Sequence, residues 1–297
     1  MKREVELVII SDVHLGTYGC HAKELLTYLR SVKVNTLILN GDFIDIWQFK
    51  KKYFPKEHMQ VLNCILKMAE KGTKVYYLTG NHDDSLRRYA DFSTGNIHLR
   101  NHMTIQLNQK KYWIFHGDVF DLSIRFSPWV AKMGGKGYDY LILLNRFVNN
   151  LRARLGMKKM SLAAKVKDGM KSAIKFVDDF EDKAIALAAE QGYDYVVCGH
   201  IHRPQMRSVE KGGHQIMYLN SGDWVESLTA LEYQWGCWTI YQYDENDYLD
   251  LPPLFEEILA EDEQPTAAAS ILEQMVKKTN EPKKEYRAIK YFSYKTT

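Results

Sequence analysis

The sequence predicts an α/β fold, and two observations carry that expectation. Along the first half, apolar runs of strand length alternate with segments whose apolar residues recur at helical spacing. Five short runs of His, Asp, Asn and Gly each fall just after a strand-like run, on the loop that leaves it. In open α/β sheets ligands bind beyond the carboxyl ends of the strands, so loops placed this way can converge on one point. The 297 residues, 45% hydrophobic and 26% charged, suffice for one large domain or a domain with a sizeable insertion.

Taken in order, Glu6–Ile10 reads as a strand, His21–Arg30 as a helix and Thr36–Leu39 as a strand. Val61–Glu70 reads as the next helix and Lys74–Leu78 as the next strand. Ile97–Leu99, Met103–Leu107 and Tyr112–Phe115 follow as strands, with Asn108-Gln109-Lys110 as a hairpin turn. Between Asp121 and Gln191 the pattern becomes helical. Tyr140, Leu144, Phe147, Val148, Leu151 and Leu155 form one apolar stripe that Gly156 ends. Ser161 caps a second helix reaching about Glu190, with Gly192 after it. Strands return at Tyr195–Cys198, Ile216–Asn220 and Cys237–Tyr243. The reading is therefore one domain over residues 1–254, with a helical insertion at 121–191 and a C-terminal extension at 255–297.

Charge is unevenly spread. Net charge is +3, yet from Asp121 to Val177 twelve Lys and Arg side chains stand against three acids. Such asymmetry speaks of partners rather than of fold, and here it suits anionic ones. The four cysteines, Cys20, Cys64, Cys198 and Cys237, are far apart and form no Cys-x-x-Cys pair. Packed thiols in a reducing compartment fit better than a disulfide framework or a zinc ribbon. The N-terminus has no signal-peptide pattern, and no apolar run nears the ~18 residues that span a bilayer. A cytoplasmic protein, soluble or peripheral, is expected. The chain has no Gly-x-x-x-x-Gly-Lys-Ser/Thr run, which argues against a P-loop nucleotidase.

The chemistry sits in Asp12-Val13-His14, Gly41-Asp42, Gly80-Asn81-His82-Asp83, His116-Gly117-Asp118 and Gly199-His200-Ile201-His202. Divalent cations in phosphoryl chemistry take carboxylate and amide oxygens together with imidazole nitrogens. The candidate ligands are Asp12, His14, Asp42, Asn81, His116, His200 and His202. Asp42 is the natural bridge, since one carboxylate can serve two cations about 3.5–4 Å apart. Singly each run is weak, because a Gly-Asp pair is usually a turn and a lone buried His is usually structural. Together they are specific: five of the ten histidines fall within them.

This ordered set, spanning Glu6 to Tyr243, resembles the calcineurin-like metallophosphoesterases. The resemblance implies a four-layer α/β/β/α sandwich with a dinuclear centre between strand ends. It implies that Asp12, His14, Asp42 and His202 hold one metal and that Asp42, Asn81, His116 and His200 hold the other. It also places His82 beside the leaving group as a proton donor. Asp83 is expected to orient His82, and Asp118 to brace a ligand.

A closer resemblance is carried by Phe115-His116-Gly117-Asp118, the helical insertion, Cys198 to Pro204 and Asn220 to Glu226. These look like the UDP-2,3-diacylglucosamine hydrolases of lipid A synthesis, which release UMP from a diacylated UDP-sugar. That likeness implies a helical cap, manganese (with iron or zinc suiting the same donors), a UDP-linked lipid substrate and peripheral contact with an anionic inner-membrane face. The sequence departs from that pattern at His82, where those hydrolases carry Arg, and in its extension beyond Leu254. Lys171 and Lys175 are the candidates for phosphate contact, as they lie on the helix leading to the His200 run. The alternative is a phosphodiesterase for another nucleotide or nucleic acid. The insertion has no obvious array of aromatics for base stacking, so nucleic acid is the lesser expectation, and no obligate protein partner is indicated.

Overall fold

The structure, a computed structural model, describes residues 2–46, 53–123 and 167–248. The first sheet is built from β1 (Arg3–Ile10), β2 (Val32–Asn40), β3 (Lys74–Leu78), β4 (Ser93–Thr94), β5 (Ile97–Arg100), β11 (Thr229–Gln234) and β12 (Cys237–Gln242). Its strand order is β12-β11-β1-β2-β3-β5-β4, with β1, β2, β3 and β5 parallel. The second sheet contains β6 (His102–Leu107), β7 (Lys110–Phe115), β8 (Tyr195–Cys198), β9 (Gln205–Lys211) and β10 (His214–Asn220). Its order is β6-β7-β8-β10-β9, parallel through β7, β8 and β10.

Strands apolar on both faces make this a layered molecule. In β1, Val5, Val8 and Ile10 face helices α1 (Ala22–Ser31) and α2 (Lys56–Glu70), while Leu7 and Ile9 face the second sheet. Ile38 and Leu78 join Leu7 and Ile9 against Tyr112, Ile114, Val197 and Leu219, forming the seam between the sheets. Outside the second sheet lies α3 (Lys167–Glu190), which seats Phe180, Ala184, Ile185 and Ala188 on Phe115, Val196, Cys198, Ile216 and Tyr218. The order of layers is α/β/β/α, as expected. Each fully buried Leu or Ile in these seams contributes about 1.5–3 kcal/mol.

Three strands escaped the sequence reading: β4, which is two residues long, β9 and β11. β11 carries Glu232 in its interior, which hides its apolar character until Arg3 and Tyr28 are seen to bind that carboxylate. β9 is an edge strand with a mostly half-exposed pattern. The hairpin turn falls at Asn108 and Gln109, both at positive φ, and Lys110 already belongs to β7. Cys20, Cys64 and Cys198 are packed thiols, but Cys237 is exposed at the start of an edge strand. The stripe from Tyr140 to Leu155, the Ser161 cap, most of the basic insertion and the 255–297 extension lie outside the described residues. Among the described residues, no helix is long and apolar enough to cross a membrane.

Candidate metal centre

Six side chains singled out in the sequence meet where parallel strands of both sheets end. β1 leads into Asp12 and His14, β2 into Asp42, β7 into His116, and β8 into His200 and His202. Donor atoms of Asp12, His14 and His202 lie within 4.8 Å of one another, as do those of Asp42, His116 and His200. Asp42 links the two groups: its Oδ2 is 3.3 Å from His116 Nε2 and 3.9 Å from His14 Nε2. Asp12 Oδ1 is 3.2 Å from His202 Nε2 and 4.0 Å from His116 Nε2.

The backbone is bent to deliver these groups. Asp12, His14, Asp42, His200 and His202 all adopt positive φ, between +51° and +67°. Non-glycine residues in that region are strained and persist only where their surroundings hold them, which is common at functional sites. Here the holding contacts are explicit. Asp12 N–H donates to the Gly41 carbonyl at 3.1 Å, His14 N–H to the Asp42 carbonyl at 2.9 Å, and Trp224 N–H to the Asp12 carbonyl at 3.1 Å. Gly80 must be glycine, since a Cβ there would stand 2.2 Å from Asp42 Oδ1.

Each carboxylate is divided between loop and cluster. Asp42 Oδ1 accepts His82 N–H at 2.8 Å and Asp12 Oδ2 accepts His200 N–H at 2.9 Å, leaving Asp42 Oδ2 and Asp12 Oδ1 for the centre. Asp12 Oδ1, His14 Nε2, Asn81 Oδ1 and His116 Nε2 are buried without a hydrogen-bond partner. Asp12 Oδ1, His14 Nε2 and His116 Nε2 have only ion-pair neighbours, the nearest at 3.2–3.9 Å, and a buried polar atom left without a hydrogen bond requires an explanation. A mixed N/O donor set of this kind fits divalent cations. His116 Nδ1 lies 3.0 Å from the Asn40 carbonyl, which keeps a proton on Nδ1 and reserves Nε2 for coordination.

The electrostatics are those of a compact ion cluster. Burial alone would raise Asp12 and Asp42, but His202 and His116 hold Asp12 below the usual carboxylate range, and His116, His14 and His82 do so for Asp42. Burial opposes protonation of His116, yet Asp42 and Asp12 push it up to about 10. His202 rises to about 9 in the same way, through Asp12 and Asp223.

His82 is 25% exposed, and its Nδ1 is 3.0 Å from Asp45 Oδ2 with Nε2 4.0 Å from Asp42 Oδ2. The carboxylate behind His82 is thus Asp45, not Asp83. Asp83 instead accepts Gly80 N–H at 2.6 Å, Phe43 N–H at 3.1 Å and the Tyr77 hydroxyl at 2.6 Å, so it shapes the loop. Asp118 forms an ion pair with Arg87 rather than a hydrogen bond to a candidate ligand. Sequence reading missed Asp45, although its position three residues after Asp42 on the same loop was a usable signal. Burial pushes Asp45 up, but the His14 imidazole 3.8 Å away and the hydrogen bond from His82 at 3.0 Å outweigh that and bring it down to about 2.

The Asn220–Asp223 segment lies directly beneath the site. Asn220 Nδ2 donates to the Gly199 carbonyl at 2.9 Å, Ser221 Oγ is 2.7 Å from Ser11 Oγ, and Asp223 Oδ2 is 4.0 Å from His202 Nδ1. Lys171 and Lys175 fall on α3, but their side chains lie outside the described residues.

Comparison with known proteins agrees with this geometry. The family profile of calcineurin-like phosphoesterases matches residues 5–204. Three bacterial proteins named UDP-2,3-diacylglucosamine hydrolase are similar over most of their lengths. That of Aliivibrio fischeri (strain MJ11) is 24% identical over 76% of this chain and 94% of its own. That of Ectopseudomonas mendocina (strain ymp) is 22% identical, covering 76% and 93%. That of Stenotrophomonas maltophilia (strain K279a) is 24% identical, covering 78% and 96%.

Proposed function

The chain belongs to the calcineurin-like phosphoesterase family and is a metal-dependent phosphoesterase, and on that premise we propose that it hydrolyses the pyrophosphate bond of UDP-2,3-diacylglucosamine. The products are UMP and 2,3-diacylglucosamine 1-phosphate. The observation that carries the reaction class is the pair of clusters joined by Asp42, with buried, unpartnered donor atoms on the same motif residues. Names of the relatives that span nearly their whole length support the substrate.

In this reading Asp12, His14, Asp42 and His202 hold one Mn²⁺, and Asp42, Asn81, His116 and His200 hold the second. Bound there, two cations would supply an activated water at neutral pH and would neutralise charge on the phosphate oxygens. The rest falls to the chain. Asp45 fixes His82 through Nδ1, so that Nε2 faces the cluster. Burial works against a proton on His82, but Asp45 and Asp42 raise its pKa above the ordinary value. With Nδ1 tied to Asp45, His82 is placed to donate a proton from Nε2 to the departing phosphate oxygen. Lys171 and Lys175 contact the substrate phosphates, and the basic insertion sets the protein against an anionic cytoplasmic membrane face.

The test is product analysis with UDP-2,3-diacylglucosamine and with UDP-glucosamine, each with and without Mn²⁺. The proposal expects Mn²⁺-dependent UMP release from the lipid substrate and little from the sugar lacking acyl chains. Hydrolysis of simple phosphodiesters with no turnover of the lipid would replace it with a nucleotide or nucleic-acid phosphodiesterase.

A further inference from the structure

We propose that Phe180, locked in place on α3 by its neighbour Glu181, is a positioning residue for the His116–His200 half of the metal centre and not for the Asp12–His14 half. This inference deepens the two-cation reading above and rests on it. It makes the helix at the end of the insertion part of one metal position.

Phe180 is fully buried, and its ring lies against two ligand-bearing loops at once. On one side is Gly117, the residue after His116, at φ +125°. A Cβ there would stand 2.6 Å from Phe180 Cζ and 3.3 Å from the His200 Cβ. On another side is the His200 imidazole, with ring centroids 6.1 Å apart, and Phe120 packs edge-on at 5.5 Å. The His116 and His200 rings are themselves 5.1 Å apart. The ring therefore bears directly on the His200 imidazole and, through Gly117, on the backbone that carries His116. Close-packed interiors transmit such displacement rather than absorb it.

Glu181 explains why the ring is held. Its side chain is 1% exposed, with Oε2 2.9 Å from Arg207 Nη2 on β9 and Oε1 4.0 Å from Arg203 Nη1. A buried carboxylate is tolerated when it is paired, and this one pins α3 to β9, the edge strand that follows the His200–His202 loop in sequence. The Asp12–His14 half has supports of its own, β1 and Trp224 N–H on the Asp12 carbonyl at 3.1 Å, and meets the other half through His200 N–H on Asp12 Oδ2 at 2.9 Å.

The test is Mn²⁺ titration by calorimetry, with electron paramagnetic resonance to read coupling between the ions. It compares wild type, Phe180→Ala, Phe180→Leu, Glu181→Gln and a control, Leu29→Ala, which empties an equally buried position on α1. For Phe180→Ala one of two binding steps should weaken about 10–100-fold, the size seen when outer-shell support is lost, with the coupling signal diminished. Phe180→Leu should fall between Phe180→Ala and wild type, and it carries the test if the alanine variant does not fold. Glu181→Gln should act in the same direction but less. Leu29→Ala should lower Tm and leave both steps intact. Equal weakening of both steps, no change in either, or the same pattern in Leu29→Ala would overturn the positioning role. Wild-type protein that binds fewer than two ions would overturn the two-cation reading itself, a separate outcome visible before any variant is made.

Discussion

His116 and His82 both turn Nε2 toward Asp42 Oδ2, at 3.3 and 4.0 Å, and both are tethered through Nδ1, yet their niches differ. His116 is sealed and bonds a main-chain carbonyl, Asn40 O. His82 is a quarter exposed and bonds a carboxylate, Asp45. A carbonyl accepts a proton bond without adding charge, so it fixes a tautomer. A carboxylate adds charge and stabilises imidazolium. Charge alone does not separate the two, since Asp42 and Asp12 push His116 up as well; the sealed niche keeps His116 from substrate and leaves Nε2 to a cation, while the half-open one makes an acid that can meet substrate. Exposure and tether chemistry separate two histidines that are indistinguishable as letters.

The largest effect should come from the sealed niche. His116→Gln should reduce hydrolysis to background and remove the Mn²⁺ assigned to Asp42, Asn81, His116 and His200, measured by turnover and calorimetric stoichiometry. In wild-type protein the proton that keeps His116 charged up to about pH 10 competes with the cation. Affinity at this position should therefore rise with pH, about tenfold per unit for each proton displaced, in the wild-type protein. Retention of two ions by His116→Gln would break the comparison at its first term.

The half-open niche should behave otherwise. His82→Gln should keep two bound Mn²⁺ and lower kcat by about 10²–10⁴-fold, the usual contribution of a positioned acid. The deficit should shrink with a substrate whose leaving group needs no proton. Loss of an ion in this variant would move His82 from the acid role to the ligand set.

Much of this was legible in the residue order, for a physical reason. Asp12, His14, Asp42, His116, His200 and His202 each follow a strand apolar on both faces, and such strands announce themselves by composition. The four layers follow from the same runs. What stayed hidden depends on contacts distant in sequence. Glu232 reads as polar until Arg3 and Tyr28, both far away in the chain, are seen to bind it, so β11 went unrecognised. Asp83 is adjacent to His82 in sequence, but its carboxylate turns back to Gly80, Phe43 and Tyr77. Asp45, 37 residues from His82, takes the place that adjacency seemed to assign. Positive φ at five motif residues was equally invisible, because their strain is imposed by neighbours rather than by the residues' own preferences.

The smallest and most discriminating change is Asp45→Asn. The amide keeps the size of the side chain and an oxygen for His82 Nδ1, but it removes the negative charge. Burial lowers the His82 pKa, while Asp45 and Asp42 raise it, so deleting one carboxylate must let it fall. An acid works only below its pKa; the alkaline limb of the rate profile should therefore shift to lower pH, by about one unit if the lost interaction is worth about 1.4 kcal/mol. On the plateau at lower pH the variant should approach wild-type rate, and above the limb it should be roughly tenfold slower. A uniform loss at every pH, with the limb unmoved, would mean that Asp45 merely packs the loop. The contrast between the two niches would then rest on exposure alone.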